Sequence, residues 1–566
     1  MKNTNLPDID RKWWKEAVFY QIYPRSFKDS NGDGIGDLQG IISKLDYIKS
    51  LGVDAVWLNP IYESPNHDNG YDISDYRAIM KEFGTMNDFD IMLKGFHDRG
   101  IKLIMDLVVN HCSSEHKWFQ QARTSRKNEY YNYFHWWPAE KGIPPKRWST
   151  FDPEANAWKY NEATNSHYLH YFAAQQPDLN WENPNLRQDI YDMMRFWLDK
   201  GIDGFRMDAI AYISKDPEFP AMPAKYDGDW IIYYAHGPHL HKYIKEMNRE
   251  VLSKYDVATV AEAIGTVDSV MKFVDPARGE LNMAYHFEGV NLGYLPNEYK
   301  MVGPEGYSLL EFIEVYSKWD NAFAKKGWGT IYLGNHDQPR MVTRWGNDSP
   351  EFRELSSKML TTFILSMGGT PYYYFGDELG MNNIKFDKIS DYNDIELLTN
   401  YEQVKAKGGD LDRFLNGMKI SSRDNGRTPF QWNATANAGF TTVKPWLKVN
   451  PNYSFVNVEI EESDRNSVLN YFREMVKVRK SDLAFVYGKY SLLDTGNPYI
   501  YAYTRELNNN KYLIILNFHD KTATTNVGVD ITEIKSVINN YLGTSKIINK
   551  SQVTLKPYQA VILKIK

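Results

Sequence analysis

The sequence predicts an α/β protein: a closed (β/α)8 TIM barrel, with an inserted subdomain after strand 3 and a C-terminal all-β sandwich domain. Three observations predict it. Short apolar, β-rich runs alternate with amphipathic stretches, the pattern of a parallel sheet built from βα units. Eight such runs fall before residue 380. Beyond a last helical stretch near Ser467–Arg479 the pattern changes to closely spaced short strands.

The first four runs are AVFYQIYP (Ala17–Pro24), AVWLNP (Ala55–Pro60), KLIMDLVV (Lys102–Val109) and GFRMDA (Gly204–Ala209). The other four are VATVAEA (Val257–Ala263), MAYHF (Met283–Phe287), TIYLG (Thr330–Gly334) and TPYYYFGDE (Thr370–Glu378). Helical stretches lie between them. In Pro184–Lys200, for instance, Leu186, Ile190, Met193, Met194 and Trp197 recur at helix spacing. Eight strands with interleaved helices close into a barrel whose active site lies at the C-terminal strand ends.

Two intervals break the alternation. Residues 111–175 are rich in Trp, Tyr, Pro and Lys and too long for a plain loop, so they read as an inserted subdomain. A second irregular stretch, about Asn382 to Phe455, carries SSRDNGRTPFQW. At the C-terminus YIYAYTRE, KYLIILNF and SQVTLKPYQAVILKI read as strands. The expected domains are therefore a barrel over 1–110 and 176–482, the subdomain over 111–175, and a β domain over 483–566.

Of the 566 residues, 42% are hydrophobic and 24% charged, as in ordinary globular proteins. A net charge of −6 offers no basic surface for nucleic acid. The outlier is the aromatic fraction, 15%, with 40 Tyr and 16 Trp. Large aromatic cores account for most of it, and a cleft whose rings stack on a ligand is the sharper reading. A single cysteine, Cys112, rules out an intramolecular disulfide framework and fits a reducing compartment. The start, MKNTNLPDIDRKWW, has no apolar signal region, and no run approaches the roughly 20 residues that cross a bilayer. We expect a cytoplasmic protein without a membrane partner, a monomer with a dimer as the alternative.

Polar residues stand where buried strands should end. Asp106, Asn110 and His111 close the third run, Arg206 and Asp208 the fourth, Glu262 the fifth, and His336–Asp337 follow the seventh. One acid at a strand end is unremarkable, and a lone His is most simply a core histidine. Acids, histidines and an arginine at the same end of one barrel converge on one cleft. Paired carboxylates are the machinery of glycoside hydrolysis, one attacking the anomeric carbon and one protonating the leaving oxygen. No G-x-S-x-G elbow and no H-E-x-x-H or paired-Cys spacing offers a serine hydrolase or a zinc site instead.

DLVVNH, GFRMD, AEA, GNHDQPR and QPDLN (Gln176–Asn180) together resemble glycoside hydrolase family 13, the α-amylase family, in its oligo-1,6-glucosidase and α-glucosidase branch. The resemblance spans almost the whole chain. It implies Asp208 as nucleophile, Glu262 as general acid/base and Asp337 as the third acid, with His111 and His336 on the same glucose and Arg206 orienting Asp208. In GYDISDY it implies that Tyr71 stacks on the terminal glucose and that Asp72, with Arg423, clamps its far hydroxyls. Such a pair closes a groove into a blind pocket, hence an exo-acting enzyme with a small oligosaccharide or disaccharide substrate. Phe151 and Phe172 are pocket walls or subdomain core.

Linkage is less legible. In the resembled branch the residue after the nucleophile tracks specificity, Val with α-1,6 bonds and Ala or Thr with α-1,4 bonds and sucrose; here it is Ala209. That favours maltose-type or sucrose-type substrates, with isomaltose as runner-up. Sucrose isomerases of the branch carry an Arg-rich loop after strand 6, whereas His286–Tyr299 holds no Arg. A trehalose-6-phosphate hydrolase would need a cationic phosphate patch, and a non-enzymatic relative would have lost the acids.

DSNGDGIGDLQG, Asp29 to Gly40, imitates a calcium-sensor loop but ends in Gly40 where the bidentate Glu should be, and follows a strand. What remains is an oxygen cage from Asp29, Asn31, Asp33, the Ile35 carbonyl and Asp37. The resemblance implies a structural Ca2+ there, with Mg2+ as the alternative. A solvated acidic turn is the competing reading.

Overall fold

In the computed structural model all eight runs are strands: β1 Phe19–Ile22, β2 Ala55–Leu58, β3 Lys102–Val108, β4 Gly204–Asp208, β5 Ala258–Ala261, β6 Met283–Ala284, β7 Thr330–Ile331 and β8 Thr370–Tyr374. The structure describes residues 9–226, 230–530, 535–542, 546–547 and 551–565. The expected outer domain limits, residues 1 and 566, and most of the N-terminal segment read for a signal lie outside them.

All barrel pairings are parallel, in the order β6-β5-β4-β3-β2-β1-β8-β7. A single parallel bridge, Ala284 to Gly329, joins the two ends and closes the ring. The strands are buried almost throughout, as helix-covered parallel strands must be. Gly204 (φ 144°) lies opposite Ala258, where a Cβ would sit 1.9 Å from the Ala258 carbonyl oxygen. Only glycine lets β4 and β5 approach there.

Helix Pro184–Lys200 shows how the covering layer is specified. The Asn183 side chain caps the first turn, Pro184 takes N1, and Gly201 (φ 104°) ends the helix in the left-handed conformation. The residues at helix spacing are all buried, and Trp197 packs edge-on against Phe89 at 5.0 Å.

In the inserted segment Trp136–Pro138, Ser166–Leu169 and Trp158–Asn161 form an antiparallel three-stranded sheet. Bridges His111–Asp178 and Phe134–Leu179 zip its two ends together beside β3. The C-terminal part is a five-stranded sheet (Lys489–Leu493, Ile500–Leu507, Asn510–Asn517, Ala560–Lys564, Lys535–Asn539) facing a three-stranded one. The period of two is visible in Ile500–Leu507. Ile500 and Ala502 face the core between the sheets, while Tyr501 and Tyr503 join the barrel core. Tyr503 also meets Ser366 of a buried barrel helix at 2.7 Å.

Candidate active site

The centre of the site is Arg206, on β4 and only 2% exposed. Its Nη1 contacts Asp106 Oδ1 at 2.8 Å and Asp208 Oδ1 at 2.5 Å, and its Nη2 contacts Glu262 Oε1 at 2.5 Å. The register places these groups together: Asp106 pairs with Arg206 across β3 and β4, and Glu262 follows the last residue of β5. Ala209 turns out of the strand into the left-handed region (φ 44°) and donates its N–H to Glu262 Oε2 at 2.7 Å.

One cation cannot keep three buried acids ionised. Burial raises Asp106 to about 6, Asp208 to about 7 and Glu262 to about 8; Arg206 opposes each rise, and neighbouring carboxylates add to it. Glu262 therefore holds its proton to the highest pH. Asp337 lies at the opposite extreme. Burial opposes its charge, but His336 Nε2 at 3.2 Å, Arg423 Nη1 at 3.0 Å and Arg427 Nη2 at 3.1 Å keep it ionised well below the usual carboxylate range. Burial holds His111 and His336 neutral.

Tyr71 ties the two halves of the site together. Its hydroxyl lies 2.6 Å from His336 Nε2 and 3.2 Å from Asp106 Oδ2, and accepts from Asn59 Nδ2 at 2.8 Å. Its ring stacks on His336, with centroids 5.3 Å apart and planes at 8°.

One cavity of about 210 Å3 gathers Tyr71, His111, Phe151, Phe172, Asp208, Ala209, His336, Asp337 and Arg423 on its wall, with Glu262 beside them. Arg206 touches the acids without lining the cavity. Phe151 lies beneath the Arg423 guanidinium at 5.5 Å, and Phe172 packs on His111 at 4.9 Å. Cys112 is buried, and its thiol donates to the Ser113 carbonyl.

Asp72 is a correction. It does not line the cavity and does not pair with Arg423. Its carboxylate faces back into its own loop, accepting from Ser64 Oγ at 3.1 Å and from the N–H groups of His67 and Asp68 at 2.9 Å each. Left-handed Asn66, Asn69 and Gly70 wind the chain around it. Of this loop's two acids, Asp68 is the one that lines the cavity, held by Gln176 Nε2 at 2.9 Å. Arg423 pairs instead with Asp337, Asp394 and Glu396.

Sequence reasoning also missed Lys300, Glu396, Tyr212 and Trp230 on the cavity wall, and Arg427 beneath it. Lys300, in the loop after β6, and Glu396, in the first turn of helix Ile395–Ala406, face each other at 3.3 Å although far apart in sequence. Only Arg427 left a sequence signal, one helical turn beyond Arg423 in the same motif.

The Asp29–Gly40 loop has the oxygen donors that suit a hard cation, and each of its acids is hydrogen-bonded. Asp29 accepts from the N–H groups of Asn31, Gly32 and Gly34 and from Thr441 Oγ1. Asp33 accepts from Ile35 N and Asn31 Nδ2, and Asp37 accepts from Ser30 and caps the next helix through Gly40 N. Among the described residues no three acidic, His or Cys side chains are grouped to hold a metal ion.

A barrel whose strand ends gather carboxylates of unequal proton affinity around one cavity has the equipment of a glycoside hydrolase. The catalytic-domain pattern described as "Alpha amylase, catalytic domain" matches residues 21–488, and "Alpha-amylase SusG C-terminal domain" matches residues 500–562. The oligo-1,6-glucosidase of Parageobacillus thermoglucosidasius is 48% identical over 99% of this chain and 100% of its own length. The trehalose-6-phosphate hydrolase of Bacillus subtilis (strain 168) is 43% identical over 98% of each chain. Among solved structures, isomaltulose synthase from Klebsiella sp. LX3 superposes with a TM-score of 0.95 at 45% identity, covering 98% of this chain and 100% of that one. The chain belongs to the alpha-amylase family, glycoside hydrolase family 13, and is a hydrolase of that family. No helix among the described residues is long and apolar enough to cross a membrane.

Proposed function

We propose that the chain is an exo-acting, retaining α-glucosidase that releases glucose from the non-reducing end of short α-glucosides. The observation that carries this reading is the cavity itself. Its lining brings Asp68, Arg423 and Asp337 together with Asp208 and Glu262, and we take the first three as its floor. A terminal glucose enters as far as the floor, and only the bond behind it reaches the acids.

In the first step Asp208 attacks the anomeric carbon while Glu262 gives its proton to the departing oxygen. In the second, Glu262 takes a proton from water, and that water displaces Asp208. The higher proton affinity of Glu262 supports its role as the acid. The charge of Asp337, secured by two arginines, suits an oxocarbenium-like transition state. Tyr71 offers the glucose a ring face, and the neutral His111 and His336 offer N–H groups.

Ala209 supports maltose-type and sucrose-type substrates, by a margin of about 1–3 kcal/mol. A second reading, isomaltose preference, is supported by full-length relatives named oligo-1,6-glucosidase. Sucrose isomerisation is supported only by the overall likeness to isomaltulose synthases. A phosphorylated disaccharide is disfavoured, because five acids on the wall (Asp68, Asp208, Glu262, Asp337, Glu396) face two cations, Lys300 and Arg423. The test is kcat/KM for maltose, isomaltose and sucrose in parallel, with product analysis and Asp208→Asn as blank. Glucose release from any of them supports the reading. Isomaltulose from sucrose replaces hydrolysis with isomerisation, and no turnover rejects an α-glucosidase.

We keep a Ca2+ or Mg2+ at the Asp29–Gly40 loop as a proposal resting on its donor set alone. A cytoplasmic monomer completes the reading, with the single buried thiol of Cys112 as its support.

A further inference from the structure

We propose that Lys215, behind the cavity wall, is a positioning residue that fixes which ring nitrogen of His111 carries the proton, acting through Asn110. The proposal rests on the reading of His111 as a sugar-binding group.

Lys215 lies in the loop after β4, and its side chain is 1% exposed. Its Nζ reaches Asp178 Oδ2 at 2.9 Å and donates to Asn110 Oδ1 at 2.6 Å. An ammonium group has donors only, so the amide oxygen of Asn110 must face it, and the amide nitrogen must point the other way. That nitrogen lies 3.2 Å from His111 Nδ1. A donor so placed requires Nδ1 to be the acceptor, leaving the ring proton on Nε2.

The other side of the ring agrees. His111 Nε2 is 3.0 Å from the carbonyl oxygen of Tyr71, which can only accept. Gln176 Nε2 also approaches, at 3.2 Å, where the hydrogen it does not give to Asp68 makes the one opposing contact. With the proton on Nε2 the ring makes two good hydrogen bonds and that one opposing contact. With the proton on Nδ1 it faces the Asn110 amide donor, and a bare Nε2 faces the Tyr71 carbonyl; only Gln176 is then satisfied. The Nε2–H tautomer wins, and it aims the ring's one N–H at the cavity side, where a sugar hydroxyl shares it with Tyr71. The chain Asp178, Lys215, Asn110, His111 thus carries orientation from the loop junction of β3 and β4 to the glucose site.

Asn110→Asp is the direct test. A carboxylate still accepts from Lys215, but it cannot donate to Nδ1 and draws the proton onto it. Long-range 1H–15N spectra of the full chain labelled with ring-15N histidine report the protonated nitrogen, with the His111 signal assigned by its loss in His111→Gln. The wild type is expected to show Nε2–H, and Asn110→Asp to show Nδ1–H with an unchanged melting temperature. Its kcat/KM on α-glucosides should fall about 100-fold, the scale of losing one aimed donor. If Asn110→Asp does not fold, Lys215→Met with Asp178→Asn removes the buried pair without stranding a charge, and should abolish the single-tautomer signature. Nδ1–H in the wild type, or Nε2–H retained in the variant, overturns the proposal. The spectra do not depend on turnover, so a tautomer switch in a protein inactive on glucosides would sustain the relay and reject the function.

Discussion

Replacing Asp208, the proposed nucleophile, should make this protein more stable at pH 8. Asp208 is raised from 3.8 to about 7, with burial the leading cause, although Arg206 lies 2.5 Å away. In the unfolded chain the same group ionises near 3.9. A carboxyl with the higher proton affinity in the fold contributes stability that is complete below about pH 4 and disappears as the pH rises towards 7. At about 1.4 kcal/mol for each tenfold in proton affinity, ionised Asp208 costs on the order of 4 kcal/mol at pH 8. Asparagine fills almost the same space and can still accept from Arg206, which keeps Asp106 and Glu262 as counter-ions. Asp208→Asn should therefore gain about 2–4 kcal/mol at pH 8 and almost nothing at pH 4, while losing all turnover. Calorimetric Tm, wild type against variant, measured from pH 4 to 8, gives the comparison. An unchanged or lower Tm at pH 8, or a gain that does not vary with pH, would refute the charge-crowding argument.

Asp68→Ala should lower kcat/KM about 100-fold with little change in Tm, since its carboxylate faces the cavity. Asp72→Ala should do the reverse, losing three loop hydrogen bonds and about 2–3 kcal/mol of stability. Equal catalytic losses would return Asp72 to the site. The kcat/KM profile should be a narrow bell, rising as Asp208 loses its proton near 7 and falling as Glu262 loses its own near 8. With an aryl glucoside, whose leaving group needs no acid, Glu262→Gln should lose the alkaline limb; a limb that persists reassigns the acid. Dialysis against EDTA should lower Tm if a cation staples the Asp29–Gly40 loop. An unchanged Tm, with no calorimetric heat on adding Ca2+, removes the metal from the reading.

The barrel was legible because a strand covered on both faces reads as an uninterrupted apolar run, and β1 to β5 and β8 are such runs. β6 and β7 were overlong in the sequence reading and are two residues each. One bridge closes them, and the following His286 stacks on Trp319 at 4.8 Å instead of extending the ladder. The strand-end acids were legible for the same reason, since a charge ending an apolar run stands out. Asp68 was not. It and Asp72 share one loop, and periodicity carries no information about which side chain a left-handed turn points inward.

What sequence pattern conveys least is the inequality on which the proposed chemistry depends. Asp106, Asp208 and Glu262 come from adjacent strands and share one arginine, so burial raises all three. Asp337 sits in the same cavity at a comparable strand end, yet stays ionised because Arg423 and Arg427 reach it from the irregular stretch after β8. No alternation places that stretch in space. The barrel explains why the acids meet; their division into proton holder, nucleophile and fixed charge is set by loops. Moving either arginine should therefore change the chemistry although neither lies on a barrel strand, even where the fold is untouched.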